Sequence, residues 1–200
     1  MVDVKFTGLT VKPYSVSGAT LLKINNFLTQ HGPVVDGKKR SGATKTTIAI
    51  GPKYNISGRF IHEGKKVTCH IGIKTAAVSY GATMKIPSIT PPILSNLSQK
   101  AAKEWKRFAA AVRKHEDGHV ACAKNVATKI AAEIDAIAIT ATGKSEKDAQ
   151  AAATKAIKKL WDSTYTTKAA GARLTAEQKA YDKRTKHGKN VKAVLDYKVK

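Results

Sequence analysis

Hydrophobic residues follow two different patterns along the chain, and the change falls near residue 94. Before that point, β-branched and other apolar residues alternate with polar ones, which is typical of strands. After it, apolar residues recur every three or four positions in a background of Ala, Lys and Glu, which is typical of helices. Strands first and helices second predict an α+β fold rather than alternating βαβ units. We expect an N-terminal antiparallel sheet over about residues 1–90 and helices over about 94–190.

The N-terminal part predicts one short helix between strands. A short strand is expected over residues 3–11, and SVSGATLLKINNFLTQHG then predicts a helix of about ten residues that Gly32 and Pro33 end. After a loop in VVDGKKRSGATK, three runs alternate as strands do: TTIAIGPKY, NISGRFIHEG and KKVTCHIGIKTAAVSY. The three prolines of MKIPSITPPI are expected to end the sheet, because proline cannot donate a ladder hydrogen bond.

The C-terminal part predicts one long helix, over about residues 95–139, followed by two further helices. Ser145 is expected to cap the second helix, after a break at TATGKSEKD. Thr175 and Gln178 resemble a capping pair for the last helix, which Gly188 would end. The long helix carries a single buried stripe, which consists of Trp105, Phe108, Val112, His115, His119, Cys122, Val126, Ile130, Ile134 and Ile137.

Length and composition predict a single domain over residues 1–200, since 200 residues with 42% hydrophobic content can bury one core. No segment approaches the ~18 apolar residues of a membrane span, and the first residues lack the apolar part of a signal peptide. The residues alone leave open a cytoplasmic protein and an exported one whose signal has been removed. Cys69 and Cys122 both point inward by periodicity, and they form either one disulfide or two buried thiols.

The chain is strongly basic, with 36 Lys and Arg against 14 Asp and Glu and a formal net charge of +22. Such a surface attracts polyanions, including nucleic acid and acidic polymers. The basic residues are spread from Lys5 to Lys200 and are not interleaved with aromatic residues, as single-strand recognition would favour. The charge therefore predicts weak, generic electrostatic binding to anionic polymers.

The segment HEDGH, residues 115–119, lies within the predicted long helix and contains His115, Glu116 and His119. Residues four apart share a helix face, so both imidazoles can bind one metal ion, while Glu116 lies beside the ion as a general base. Two inward histidines are costly to bury without partners, which a metal ion would supply. The alternative is a pair of core histidines with hydrogen-bond partners. Gly118 costs roughly 1 kcal/mol in a helix interior, which predicts close approach of a substrate strand or a packed neighbouring element.

A catalytic zinc site needs a third protein ligand and an open position for water. Glu133 and Asp135 lie about 20 Å farther along the helix and cannot reach the ion. His187 has the best case, because imidazole is a common zinc ligand and Gly188 would let the chain turn sharply beside the site. His62 and His70 are expected to be exposed strand residues. The residues alone leave the choice open among His187, Asp182, Glu177, Glu146, Asp148, His62 and His70.

Two separated motifs, WKRFAAAVRKHEDGHV and AYDKRTKHG, resemble a bacterial family of predicted secreted zinc-dependent proteases, catalogued largely as a domain of unknown function. That family is marked by W-x-x-F, H-E-x-G-H and Y-D-x-x-T-x-H-G. YSVSGATLLKINNFLTQHGP and MKIPSI are also similar to it, so the resemblance covers most of the chain. It implies Zn²⁺ as cofactor and His187 as the third ligand. It also implies a periplasmic or secreted protein whose export signal has been removed, with a cytoplasmic location as the alternative. It also implies that Tyr181 donates to an oxyanion and that Asp182 orients a ligating histidine.

The leading expectation is a zinc-dependent metallo-endopeptidase that acts on a peptide or protein substrate. Glu116 would take a proton from zinc-bound water and pass it to the leaving amine. The alternative is a non-catalytic, zinc-stabilised basic module that binds an anionic partner such as a cell-envelope polymer or nucleic acid. A metal-free basic α+β protein would require both histidine motifs to be coincidental. No oligomeric state is predicted.

Overall fold

The computed structural model describes residues 2–200 and confirms the α+β class. A group of long strands comes first, and a group of helices follows. The elements are β1 (Asp3–Ser15), α1 (Leu21–His31), β2 (Val34–Val35), β3 (Lys38–Lys39), β4 (Ala43–Glu63), β5 (Lys66–Ser88), α2 (Pro91–Asn96), α3 (Gln99–Asp135), β6 (Ala138–Gly143), α4 (Glu146–Thr164), α5 (Thr167–Thr185) and a 3₁₀ turn (Lys189–Val191).

The main sheet has the strand order β1-β5-β4, and β6 also pairs with β5. Only Gly64 and Lys65 separate β4 from β5, and so short a connection requires antiparallel neighbours, because parallel strands need a crossover. β2 and β3 form a separate antiparallel hairpin. Its turn residues Asp36 and Gly37 both have positive φ, 48° and 72°, as a two-residue type I′ turn requires.

The chain divides into two compact units. The first contains the residues up to Thr7 together with Thr47–Tyr80 and Ala123–Ala176. The second contains Gly8–Thr46, Gly81–Cys122 and Glu177–Lys200. Because β1, β4, β5, α3 and α5 each contribute residues to both units, the expectation of a single domain remains a prediction.

Each unit has its own hydrophobic core. In the first, strand residues such as Ile71 pack with Ile130 of α3 and Ile157 of α4. In the second, Leu21 and Ile24 of α1 pack with the part of α3 that contains Trp105, Phe108 and Val112. All the predicted stripe residues within α3 are buried, which confirms the periodicity.

The predicted long helix ends earlier than expected, at Asp135 rather than near residue 139. The next segment, AITATG, forms β6 and pairs antiparallel with β5, from Gly72 opposite Ala138 to Val67 opposite Gly143. Half-buried and exposed residues alternate along it. Since its hydrogen-bond partners belong to a strand seventy residues earlier, the helical spacing of the stripe could not exclude this strand.

The last helix begins at Thr167, so the prediction that Thr175 caps it was wrong. The Thr166 hydroxyl accepts a hydrogen bond from the Ala169 amide at 3.1 Å. Thr175 lies inside α5, where its hydroxyl donates to the Gly171 carbonyl at 2.9 Å. By contrast, Ser145 caps α4 as predicted.

The strands are longer than the alternating runs predicted. β1 continues to Ser15, and the first two predicted runs form the single strand β4, which includes Pro52. β5 continues through Pro87 to Ser88, so the sheet ends one residue after the first proline of MKIPSITPPI. No helix within residues 2–200 is both long enough and apolar enough to cross a bilayer.

A cluster of polar contacts fixes the C-terminal segment to α3 in the second unit. The Arg107 guanidinium donates to the carbonyls of Lys192 at 2.6 Å and Val194 at 2.7 Å. It also pairs with Glu104, which accepts a hydrogen bond from the Asp196 amide at 2.8 Å. The contact with Arg107 lowers the pKa of Glu104. These contacts hold in place the chain that follows Gly188.

Candidate metal site

The two histidines and the glutamate of HEDGH lie on the buried face of α3. His115 is 8% exposed, His119 is 9% exposed and Glu116 is 4% exposed. All three belong to the second unit. Polar groups so deeply buried need partners, and those partners come from β4, α5 and the loop that precedes β4.

Helix α5 brings Asp182 to both histidines. Asp182 Oδ1 lies 3.3 Å from His115 Nε2 and 3.3 Å from His119 Nε2. The three donor atoms lie within 4.8 Å of one another. A tetrahedral zinc ion with bonds of about 2.0–2.1 Å would space its ligand atoms roughly 3.3–3.4 Å apart, so the two short distances fit one ion between the donors. His115, His119 and Asp182 can therefore hold a metal ion.

The C-terminal end of α5 places His187 beside Asp182. The amide of Lys186 donates to the Lys183 carbonyl at 3.2 Å, and that of His187 donates to the Asp182 carbonyl at 2.8 Å. This pair of bonds is a Schellman motif. Lys186, His187 and Gly188 all have positive φ, 52°, 51° and 85°, a region that only glycine adopts without cost. The turn brings His187 Nδ1 to 3.6 Å from Asp182 Oδ2.

His187 is outside the group of three donors. Its side chain is 47% exposed, and Asp182 occupies the third position that the resemblance assigned to His187. A role for His187 as third ligand thus remains a prediction. Gly188 packs directly against the site, because a Cβ built on it would lie 3.3 Å from His115 Cγ. The sharp turn expected at Gly188 is present and begins at Lys186.

The other third-ligand candidates have different partners. His62 Nε2 lies 2.9 Å from Glu146 Oε1, and His70 Nδ1 lies 2.9 Å from the Thr140 hydroxyl. His62 is exposed, as predicted, and His70 is half-buried. The remaining two candidates do not belong to the donor group either: Asp148 bonds to Ser145, and Glu177 lies 4.0 Å from Arg184.

Tyr181 explains the glycine within the motif. Its hydroxyl donates to the His115 carbonyl at 3.1 Å, and its ring stacks on the His115 ring with centroids 5.3 Å apart. A Cβ at Gly118 would overlap the Tyr181 phenol. The predicted close approach at Gly118 is confirmed, and the neighbouring element is α5. The oxyanion role of Tyr181 stays a prediction.

Glu116 is held by the start of β4 and the loop before it. The Thr44 hydroxyl donates to Glu116 Oε2 at 2.8 Å. A Cβ on Gly42 would lie 2.6 Å from Glu116 Oε1, so only glycine fits against this carboxyl. Burial raises the pKa of Glu116 to about 7, and the negative charge of Asp182 contributes to the rise. The carboxyl can thus accept and release a proton near neutral pH.

Tyr14 anchors the loop that covers Glu116. Its hydroxyl donates to the Ser41 carbonyl at 2.8 Å, one residue before Gly42. Burial and the nearby Glu116 charge raise the pKa of Tyr14, which keeps the phenol protonated as a donor. Tyr14, Gly42 and Thr44 could not be identified from the sequence, because nothing in their spacing relates them to Glu116, which lies about 70 to 100 residues later.

Gln178 is a further residue that sequence reasoning missed. Its Oε1 forms a hydrogen bond with His119 Nδ1, and its Nε2 donates to the His119 carbonyl at 2.9 Å and to the Thr46 hydroxyl at 3.1 Å. A signal was present, because Gln178 precedes Tyr181 by three positions and Asp182 by four, which puts all three on one face of α5. The spacing of Gln178 from Thr175 also resembles a capping pair, and this resemblance favoured the wrong interpretation.

Both cysteines are free thiols in the structure, and both are buried. Burial raises the pKa of Cys69 and of Cys122. The sequence left open one disulfide or two buried thiols, and the structure contains two buried thiols.

The fold and the site define an α+β protein in which two buried histidines and an aspartate form a candidate metal site. The chain belongs to a bacterial family described as a bacterial protein of unknown function (DUF922), which matches residues 11–188. The match includes both histidine motifs. No curated protein shows significant similarity to the chain. No solved structure does so either.

Proposed function

We propose that this protein is a zinc-dependent hydrolase, and specifically a metallo-endopeptidase. The observation that carries the proposal is the convergence of His115 Nε2, His119 Nε2 and Asp182 Oδ1, with the buried Glu116 beside them. Two imidazoles and a carboxylate are a ligand set used by catalytic zinc sites. A bound zinc ion would lower the pKa of its water and polarise a carbonyl group.

Glu116 is the general base of the proposed reaction. Its pKa of about 7 in the metal-free protein suits a group that takes a proton from water and returns it to a leaving amine. Because the Thr44 hydroxyl binds Oε2, one carboxyl oxygen has a fixed partner and the carboxyl is held in one orientation. His115 and His119 flank Glu116 in sequence, so the helix itself sets the position of the base beside the ligands.

Asp182 is the third ligand of the proposed site. It lies 3.3 Å from both imidazoles, whereas His187 is half exposed and contacts the other oxygen of the same carboxylate. The roles implied by the family resemblance are thereby exchanged: Asp182 binds the ion and His187 lies beside it. Because of this exchange, zinc content should depend on Asp182 and not on His187.

Zinc content, measured by elemental mass spectrometry on the parent, Asp182→Ala and His187→Ala, tests the proposal. We expect about one zinc per chain in the parent and in His187→Ala, and a large loss in Asp182→Ala. Zinc lost from His187→Ala and kept by Asp182→Ala would make His187 the third ligand. A parent purified without chelators that neither contains nor takes up zinc would overturn the proposal.

The second candidate function is a metal-stabilised module that binds an anionic partner, and the net charge of +22 favours it. The two functions predict different results with a quenched fluorescent casein and with polyphosphate. The hydrolase cleaves the casein, and its binding to polyphosphate is weak. The module leaves casein intact and binds polyphosphate with an affinity that falls steeply with salt.

We further propose that the protein works in the periplasm or outside the cell, which the resemblance to predicted secreted proteases supports. The test is fractionation of bacteria that express the complete natural gene, followed by immunodetection. Recovery in the osmotic-shock or culture fraction supports the proposal, and recovery only with cytoplasmic markers contradicts it.

A further inference from the structure

We infer that Gln178 is a positioning residue that holds His119 in the tautomer with the proton on Nδ1 and so directs its Nε2 lone pair toward the His115 and Asp182 donors. The inference rests on the proposed function for its chemical purpose, but it concerns a property of the metal-free protein. Gln178 lies on α5 in the second unit and is half-buried.

The hydrogen-bond network fixes the orientation of the Gln178 amide. One amide atom faces the His119 backbone carbonyl at 2.9 Å, and a carbonyl oxygen can only accept. That atom must therefore be the nitrogen. The same nitrogen reaches the Thr46 hydroxyl of β4 at 3.1 Å, so both of its hydrogens have acceptors.

The orientation of the amide decides the tautomer of His119. With its nitrogen engaged, Gln178 presents Oε1 to His119 Nδ1. An amide oxygen only accepts, so Nδ1 must carry the proton. Neutral imidazole has one N–H, and Nε2 is then an unprotonated acceptor 3.3 Å from Asp182 Oδ1. A hydrogen bond of this kind to the remote nitrogen is how proteins orient histidine ligands.

His115 has no equivalent partner. Its Nδ1 is buried and forms no hydrogen bond within the described part of the chain, whereas His119 has a side-chain partner that also binds its own backbone. The Tyr181 ring and Gly188 pack on His115 instead. Ring packing restrains the plane of His115, but only His119 has its proton placed by a defined acceptor.

Nitrogen-15 NMR of labelled histidine tests the inference in the metal-free protein, at about pH 8.5, where an ordinary histidine is neutral. We compare the parent with Gln178→Met, which keeps the length of the side chain and removes the amide, and with Gln178→Glu, which keeps an acceptor for Nδ1 but loses the donor to the His119 carbonyl. Gln99→Met is the matched control, because Gln99 is exposed at the start of α3. The expected result is Nδ1–H for His119 in the parent, Gln178→Glu and Gln99→Met, and loss of that preference in Gln178→Met.

Zinc affinity, measured by competition with a chromophoric chelator, is the second readout. We expect a loss of about 10–100-fold in Gln178→Met, no loss in Gln178→Glu and no change in Gln99→Met. Thermal unfolding of the metal-free variants shows whether each is folded. If Gln178→Met does not fold, the parent spectrum decides the matter.

A proton on Nε2 in the parent, or an unchanged tautomer and affinity in folded Gln178→Met, would overturn the inference. The expected tautomers together with a parent that binds no zinc would leave the positioning role intact and overturn the proposed function. The two failures are therefore separable.

Discussion

Two stretches of the same helix differ in what they bury. Toward its C-terminal end, α3 places Ile130 and Ile134 in the core of the first unit. Earlier on the same stripe, in the second unit, the same spacing buries His115 and His119, with Glu116 beside them. Periodicity alone treats both stretches alike, because each presents residues every three or four positions to the interior.

The difference lies in how specific the surroundings must be. Apolar side chains are stabilised by any well-packed apolar neighbours, because the hydrophobic effect has no direction. Buried imidazoles and carboxyls require particular atoms at hydrogen-bond distance, and an unmet requirement costs several kcal/mol. Asp182, Gln178 and Thr44 supply those atoms in the second unit. Substitutions in the two stretches should therefore have different effects.

The largest effect is expected for the general base. Glu116→Gln keeps the shape of the side chain and removes the proton acceptor, so cleavage of the quenched casein should fall by about 10²–10⁴-fold with zinc content unchanged. The control is Asp117→Asn, the neighbouring carboxylate, which is exposed and paired with Arg113. Cleavage by Glu116→Gln at the parent rate would show that Glu116 is not the base.

The apolar stretch should respond in stability alone. Ile130 is 1% exposed, and Ile130→Ala should lower the free energy of unfolding by about 2–5 kcal/mol through lost burial and a cavity. Urea denaturation measures this loss, with Ile61→Ala, an exposed strand position, as the control. Zinc content of folded Ile130→Ala should match the parent. Loss of zinc from folded Ile130→Ala would mean that the two stretches are not independent.

Glu116 should make the stability of the metal-free protein depend on pH. Its pKa is raised from 4.5 to about 7 in the folded state, so the folded protein holds a proton that the unfolded chain releases. Below pH 4.5 the carboxyl is protonated in both states and costs nothing. As pH rises from about 4.5 to 7, stability should fall by up to about 3 kcal/mol relative to Glu116→Gln.

Urea titrations of both metal-free proteins across that range measure the difference. The lowered pKa of His115 acts in the opposite direction, because a histidine whose pKa is lower in the folded state destabilises that state as pH falls. That contribution is present in parent and variant alike, so their difference isolates Glu116. A difference that is flat between pH 4.5 and 7 contradicts the prediction.

The smallest change in stability is expected from alanine substitution of two helical glycines, Gly171 and Gly118, which should respond with opposite signs. Gly171→Ala in α5 meets open space and should stabilise the protein by about 0.5–1 kcal/mol, as alanine favours helix. Gly118→Ala overlaps the Tyr181 phenol and should destabilise it instead. In a Tyr181→Ala background, Gly118→Ala should become neutral or stabilising. Thermal unfolding of the four variants shows whether the sign reverses, and no reversal would remove Tyr181 as the cause.

The sequence by itself determined the α+β class, the buried stripe of α3, the cap at Ser145, and the position of His115, Glu116 and His119 on one helix. All of these are local patterns, fixed by residues within a few turns of one another. It also predicted that Gly118 meets a close neighbour, because glycine inside a helix has a cost that local structure does not repay.

Only the tertiary structure decided which distant residues meet that stripe. The strand β6 and the approach of Asp182 to both imidazoles depend on pairings between segments sixty or seventy residues apart. Spacing carries no information on such pairings, since register and packing set them. Gln178 shows the limit most clearly, because a residue that resembled a helix cap binds the ring of His119.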